Sequence, residues 1–449
     1  MARCSGFCRR KVAIITTWCA TSKPHLESAQ SSERAPLVFE RLTQASDLLV
    51  VGIAISLPWS TSATGILLGL WLITSIPVLD LRSLWRELTG PAGGLPAGLW
   101  ILGALGMIWA DVPWSERISG LGGFHKLLAI PLLLTQFRRS GRAECVVIGF
   151  LTSCIILLVL SWMLAFIPGL TWRGKYNMGV PVKDYIFQSE LFAICAFGLI
   201  GQAAEVWHSR VRVALIFALL AAAFIGNLLF VVTARTTLVV MVVLSLVFAF
   251  WKFGWRGAFS TVAIVAVLSI AAWFFSPYLR ERVTPAIRDV QLHDTHDASS
   301  TGALRLGYWR TSLALIAEVP LFGYGTGSVP ELFRRTATPE TERQAITTNP
   351  HNQILAVALD LGLLGTAVLV LMWVAHIMLF RESWPIAWFG LVIVLQNIVA
   401  CPFNSHLFDF SQGWLYVIGV GVLGGGVLHQ KPAAGAPFLS EQSNTNSAK

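Results

Sequence analysis

The sequence predicts an all-α integral membrane protein with about twelve membrane-spanning helices and one long connection outside the membrane. Three observations lead there. Of the 449 residues, 55 % are apolar and 13 % are charged, and that charged share is about half what soluble chains carry. Mean hydropathy is +0.66. The apolar residues are gathered into runs long enough to cross about 30 Å of hydrocarbon, interrupted once by a stretch of 77 residues, 276–352.

The chain opens on a polar, basic segment. Arg3, Arg9, Arg10 and Lys11 precede a short apolar stretch, Val12 to Cys19. That stretch faintly resembles a secretory signal but is short for one. Residues 1–44 are expected to be a disordered cytoplasmic tail. Apolar runs follow near 45–59, 61–80, 95–112, 120–137, 144–168, 186–206, 212–233, 236–252, 256–275, 352–379, 384–402 and 410–428. The sequence therefore divides into spans at 45–275, an outer loop at 276–351, spans at 352–428 and a polar tail at 429–449.

An even number of spans puts both termini on one side, and charge selects it. With the termini inside, the inner connections hold Arg82, Arg86, Arg138, Arg139, Arg142, Arg210, Arg212, Lys252, Arg256, Arg381 and Lys431. The short outer connections hold Arg117, Arg173, Lys175, Lys183 and Arg235. Lysine and arginine are retained on the cytoplasmic side, so this balance favours inner termini and places the long loop outside. The net charge of +9 suits membrane headgroups, and no nucleic-acid motif accompanies it. The seven cysteines form no paired framework and read as thiols.

The long loop has structure of its own. Residues 303–317 read as a helix with Leu306, Trp309, Leu313 and Ile316 on one stripe and Arg305 and Arg310 flanking it. The stripe is too short to span and suits a helix lying on the membrane face. Pro320 ends the helix, Gly323, Gly325 and Gly327 make a flexible turn, and a second short helix covers 329–336. All basic residues of the loop are arginines, which bind phosphate oxygens with a two-pronged donor. For most of them, snorkelling and pairing with the loop's acidic residues is sufficient.

The next span begins TTNPHNQILAVALDLGLLG. Thr347, Thr348 or Asn349 could cap this helix and Pro350 suits its first position, which puts His351 in the first turn. The positive end of a helix disfavours imidazolium, and a neutral imidazole can serve as a general base. Spacing alone leaves a capping or headgroup-contacting histidine open. Lys126, in the outer end of the fourth span as read from hydropathy, could bind an anionic lipid or simply snorkel. Glu190 could pair with an arginine. His293, Asp294, His296 and Asp297 form a polar loop crest, with metal binding the weaker reading.

The pattern His351-Asn352-x-x-Leu355, with Asp360 before Gly362-x-x-Gly365, resembles the motif of the O-antigen ligase/polymerase superfamily. PLFGYGTGS resembles the family turn preceding the histidine. STGALRLGYW and VVTARTTLVV resemble its two arginine segments, at Arg305 and Arg235. Within the superfamily the chain most resembles the O-antigen ligases.

That resemblance implies a GT-C-like glycosyltransferase of the bacterial inner membrane with its site facing the periplasm. It implies transfer of O-antigen from undecaprenyl diphosphate to a sugar of lipid A–core. Neither ATP, metal nor other cofactor is implied. Arg235 and Arg305 would bind the diphosphate and His351 would be the base or orient the acceptor. Asn352 would hold the imidazole or an acceptor oxygen, and Arg310 and Lys126 could add substrate contacts. The polymerases have two sizeable periplasmic loops, whereas residues 169–185 are short. Protein-glycosylating ligases are longer. A lipid-linked glycan transporter would more often show internal repeats, and none is evident.

Overall fold

A computed structural model describes residues 34–167, 179–278, 280, 281, 284, 301–336, 347, 349–381 and 385–430. Several expectations lie outside them: residues 1–33 of the tail, Arg173 and Lys175, Thr348 as a cap, and the 293–297 cluster. Residues 34–44, expected as disordered tail, are instead the first turns of a helix that begins at Arg34. Every element among the described residues is helical. Nine helices among them are long and apolar enough to cross a membrane.

The elements are α1 (Arg34–Ser56), α2 (Thr61–Ser75), α3 (Leu81–Thr89), α4 (Pro91–Trp109), α5 (Trp114–His125), α6 (Ala129–Ser140), α7 (Ala143–Phe166), α8 (Tyr185–Val206), α9 (Val211–Phe230) and α10 (Arg235–Phe275). There follow α11 (Thr301–Glu318), α12 (Val329–Thr336), α13 (Gln353–Leu379), α14 (Pro385–Ala400), α15 (Phe410–Ile418) and α16 (Gly424–Gln430). A π turn, Gly419–Leu423, joins the last two. The runs expected at 236–252 and 256–275 form one long element, α10, broken at Gly254 with φ +63°.

The larger of two core clusters among the described residues runs through the helices, with α8 among its most enclosed members: Phe187, Leu191, Phe192, Ala193, Ile194 and Cys195 are at most 1 % exposed. Polar pairs lace one end of the bundle. Arg138 reaches Glu87 at 2.9 Å and Arg142 reaches Asp47 at 3.2 Å. Lys252 meets Glu205 at 3.2 Å. These cations belong to the set that the charge balance places inside.

At the opposite end, α13 is broken at Gly362, whose φ is +63° and ψ −160°. The break leaves backbone groups without helical partners, and in an apolar surround each would cost several kcal/mol. The segment 320–325 supplies the partners. Tyr324 N–H donates to Leu359 O at 2.8 Å and Gly325 N–H to Asp360 O at 2.9 Å. In return Leu363 N–H donates to Pro320 O at 2.8 Å and Leu364 N–H to Leu321 O at 3.3 Å. The glycine turn thus inserts its backbone into the helix. Thr326 then ties it to α4, its hydroxyl donating to Gly103 O at 2.6 Å.

The same turn seats α11 and α12. Leu315 packs with Val329, Leu332, Phe333 and Leu359. The face of α11 turned to protein is Tyr308, Ser312, Leu315 and Ile316, the last of which is on the expected stripe. Leu313, on the expected stripe, is 59 % exposed. Arg335 and Arg334 both pair with Glu331, and Arg335 also reaches Asp111 at 3.2 Å. Both are arginines for which pairing with acidic residues is the expectation.

Candidate active site

A cavity of about 270 Å³ opens where α8, α10, α11 and the 401–409 connection meet. Its wall includes Tyr185, Arg235, Thr236, Arg305, Asn404 and His406. The two arginines lie about 70 residues apart in sequence and on separate elements. Arg235 is the first residue of α10. Arg305 stands one turn into α11 and keeps a buried Nε without a hydrogen-bond partner. Burial depresses the Arg305 guanidinium from its usual range. Tyr185 opposes that shift, and the like charge of Arg235 adds to it. Two cations converging on one small hollow leave a site suited to an anion.

His351 stands beside this cavity, held by its own neighbours. The helix does not begin where the sequence suggests. Asn352, not a residue before Pro350, is the N-cap, and its side chain accepts from Ile354 N–H at 3.0 Å and Leu355 N–H at 3.2 Å. Asn349 closes a turn just upstream, its Oδ1 accepting from His351 N–H at 2.8 Å and from the Ser405 hydroxyl at 2.7 Å. The Asn349 turn and the Asn352 cap in N-P-H-N together leave His351 outside the first helical turn. Its φ is +52°, a left-handed conformation costly for a residue with a Cβ.

The imidazole is fixed from the 401–409 connection. His351 Nδ1 lies 3.1 Å from Asn404 Oδ1. Asn404 Nδ2 donates to Asp409 Oδ2 at 3.0 Å. Tyr308 of α11 stacks on the imidazole, with ring centroids 6.3 Å apart. Further bonds lock the connection to α13: Gln353 N–H donates to Cys401 O at 2.9 Å, and Leu407 N–H to Gln353 Oε1 at 3.0 Å.

Other expected site residues are placed differently. Asn352 uses its oxygen to cap α13, not to hold the imidazole. Lys126 sits at the junction of α5 and α6 and faces protein. It lies within the Trp114–Ser140 span, 7 % exposed, and its ammonium donates to Phe408 O at 2.8 Å and Asp409 O at 2.7 Å. Its visible role is to clamp the connection that carries Asn404. Arg310 is exposed on α11 and does not line the cavity with Arg235 and Arg305. Lys183, counted above among the outer-connection cations, turns inward to Leu57 O and the Ser411 hydroxyl. Glu190 faces a histidine and not an arginine.

That histidine is one that sequence reasoning misses. His406 is 1 % exposed, with Nε2 3.2 Å from Glu190 Oε1 and Nδ1 4.0 Å from Asp409 Oδ2. Neither contact is aligned as a hydrogen bond. Burial, and then the nearby Arg305 charge, pushes its pKa down to about 4, so the ring is neutral near pH 7. Asn404 and Asp409 are missed too. All three lie in one short connection with no motif, and only the fold brings them to His351.

The comparison with known families bears on the stretch that carries part of this site. Residues 220–370 match the O-antigen ligase family. The match holds Arg235, Arg305, His351 and Asn352, and it ends before Asn404, His406 and Asp409. It is consistent with the O-antigen ligase/polymerase superfamily. With the apolar helices, it indicates a multi-pass membrane protein, and the match to that family suggests a glycosyltransferase-like enzyme. No curated protein matches the chain.

Proposed function

We propose that this protein is an O-antigen ligase of the inner membrane. It transfers O-antigen from undecaprenyl diphosphate to a sugar of lipid A–core in the periplasmic leaflet, without ATP or metal. The observation that carries the reading is the meeting of Arg235 and Arg305 in one cavity whose wall also includes Asn404, the residue bonded to His351.

The donor is a glycosyl diphosphate, so its leaving group is already activated. Arg235 and Arg305 hold the diphosphate and neutralise the charge that grows on its bridging oxygen. His351 accepts the proton of the acceptor hydroxyl. The hydroxyl oxygen bonds to the anomeric carbon, and the carbon–oxygen bond to phosphate breaks with its electron pair leaving on the lipid diphosphate. Direct displacement inverts the anomeric centre.

The purified protein in nanodiscs, given lipid-diphosphate-linked glycan and lipid A–core with chelator and no ATP, should convert core to a glycan-bearing form seen as a gel shift. Lengthening of the donor glycan with unmodified core would instead mark a polymerase. No change in either substrate would remove the transferase reading.

A further inference from the structure

We propose that Asp409 and Asn404 are positioning residues for His351: the Asp409 carboxylate sets the Asn404 amide, and the amide oxygen holds the imidazole with its proton on Nδ1 and its lone pair on Nε2. The inference rests on the reading of His351 as the base.

The direction of each bond follows from the chemistry of the groups. A carboxylate oxygen only accepts, so the Asn404 atom 3.0 Å from Asp409 Oδ2 is its NH₂. That choice turns the amide oxygen toward His351, 3.1 Å from Nδ1. An amide oxygen cannot donate, so Nδ1 must carry the hydrogen. In a neutral ring the remaining nitrogen, Nε2, is then the one able to take a proton.

The support continues outward. Lys126 Nζ donates to both Phe408 O and Asp409 O, which pins the backbone from which the carboxylate projects. Tyr308 lies alongside the imidazole, its ring 28° from parallel and 6.3 Å away between centroids. Asn349, through Ser405 and the His351 N–H, joins the two segments a second time. His351, Asn404 and Asp409 are thus a linear chain running from a loop carboxylate to the site.

The arrangement also has an electrostatic consequence. When His351 takes the acceptor's proton it becomes imidazolium, and the Asp409 charge stabilises it through the intervening amide. Burial raises the Asp409 carboxyl above the ordinary range, while Lys126 and then His351 pull it back. The charged and titratable groups surrounding the chain are Lys126, Asp184, Glu190, Arg305, Tyr308 and His406. Asp184 adds negative charge on the α8 side, and Arg305 opposes it from α11.

The test is NMR of ¹⁵N/¹³C-histidine-labelled protein in nanodiscs, with the His351 signal assigned by its loss in His351→Gln. In the wild type, the ring nitrogen shifts should show hydrogen on Nδ1. Hydrogen on Nε2 would overturn the proposal without any variant. In Asp409→Asn the His351 titration midpoint should fall by about one pH unit, the size expected of one charge at this remove. In turnover assays kcat should drop about tenfold or more, with donor KM unchanged and the acid limb of the profile moved to lower pH. Asp409→Glu should recover part of both. A folded Asp409→Asn that loses activity with an unmoved His351 midpoint would make Asp409 merely structural and overturn the claim. If the wild type transfers no glycan, the proposed function falls, and the nitrogen shifts still decide this point.

Discussion

A Cβ placed on Gly362 would stand 2.3 Å from Leu321 O, and one placed on Gly323 would stand 2.6 Å from Leu359 O. The two glycines let the loop backbone enter the break in α13. That insertion ties the element bearing Arg305 to the helix that follows His351. Gly362 also has φ +63°, which a side chain resists. Gly362→Ala should therefore cost about 2–4 kcal/mol, combining left-handed strain with a backbone clash. A melting curve in detergent checks this. The prediction fails if Gly362→Ala melts with the wild type.

The two arginines should be separable from fold. Arg235→Ala and Arg305→Ala should each lower kcat/KM for the lipid diphosphate by about 10²-fold, the usual scale for removing one donor to a developing anion. Arg305→Lys should recover little, because an ammonium lacks the planar fork. Initial rates against donor concentration decide it, and full recovery by lysine would show that charge alone matters.

Lys126 provides a choice between two roles. If its ammonium clamps Phe408 O and Asp409 O, Lys126→Met leaves buried carbonyls unpaired and should cost about 2–4 kcal/mol together with activity. The loss should be the same in neutral and in anionic nanodiscs. A defect that appears only with anionic lipid would restore the headgroup-binding role.

His406 should leave a mark on acid stability. Its folded pKa of about 4 lies below the ordinary 6.5, so between those values the unfolded chain binds a proton that the folded chain does not. Stability then rises with pH across that window and falls on acidification, by about 3 kcal/mol in full. The wild type should lose melting temperature between about pH 6.5 and about pH 4. His406→Gln should show a flatter slope there, and an identical slope would remove His406 as the cause.

Hydropathy makes most of the helices legible, because a run of some twenty apolar residues has few other uses. Arg235 and Arg305 are legible through motif resemblance, and the fold brings them together. The helix start at His351 is misread because Pro350 is a strong first-turn signal, whereas Asn349 and Asn352 both use side-chain oxygens on the backbone and shift the cap past it. The partners of Lys126 are not legible because a lysine near an apolar run ordinarily marks an interface, and here two backbone carbonyls 282 and 283 residues away accept its protons. Asn404 and Asp409 carry no local pattern. Asn404 meets His351 across 53 residues, a relation set by the packing of the 401–409 connection against α13.

The central claim is that His351 takes a proton while the arginine cavity holds a lipid diphosphate. Single-turnover transfer by wild type and His351→Ala, both shown to melt alike, tests it most directly. The account predicts that glycan reaches lipid A–core in the wild type and that the variant is slower by about 10²–10⁴-fold while still binding donor. Equal single-turnover rates in the two proteins would contradict it.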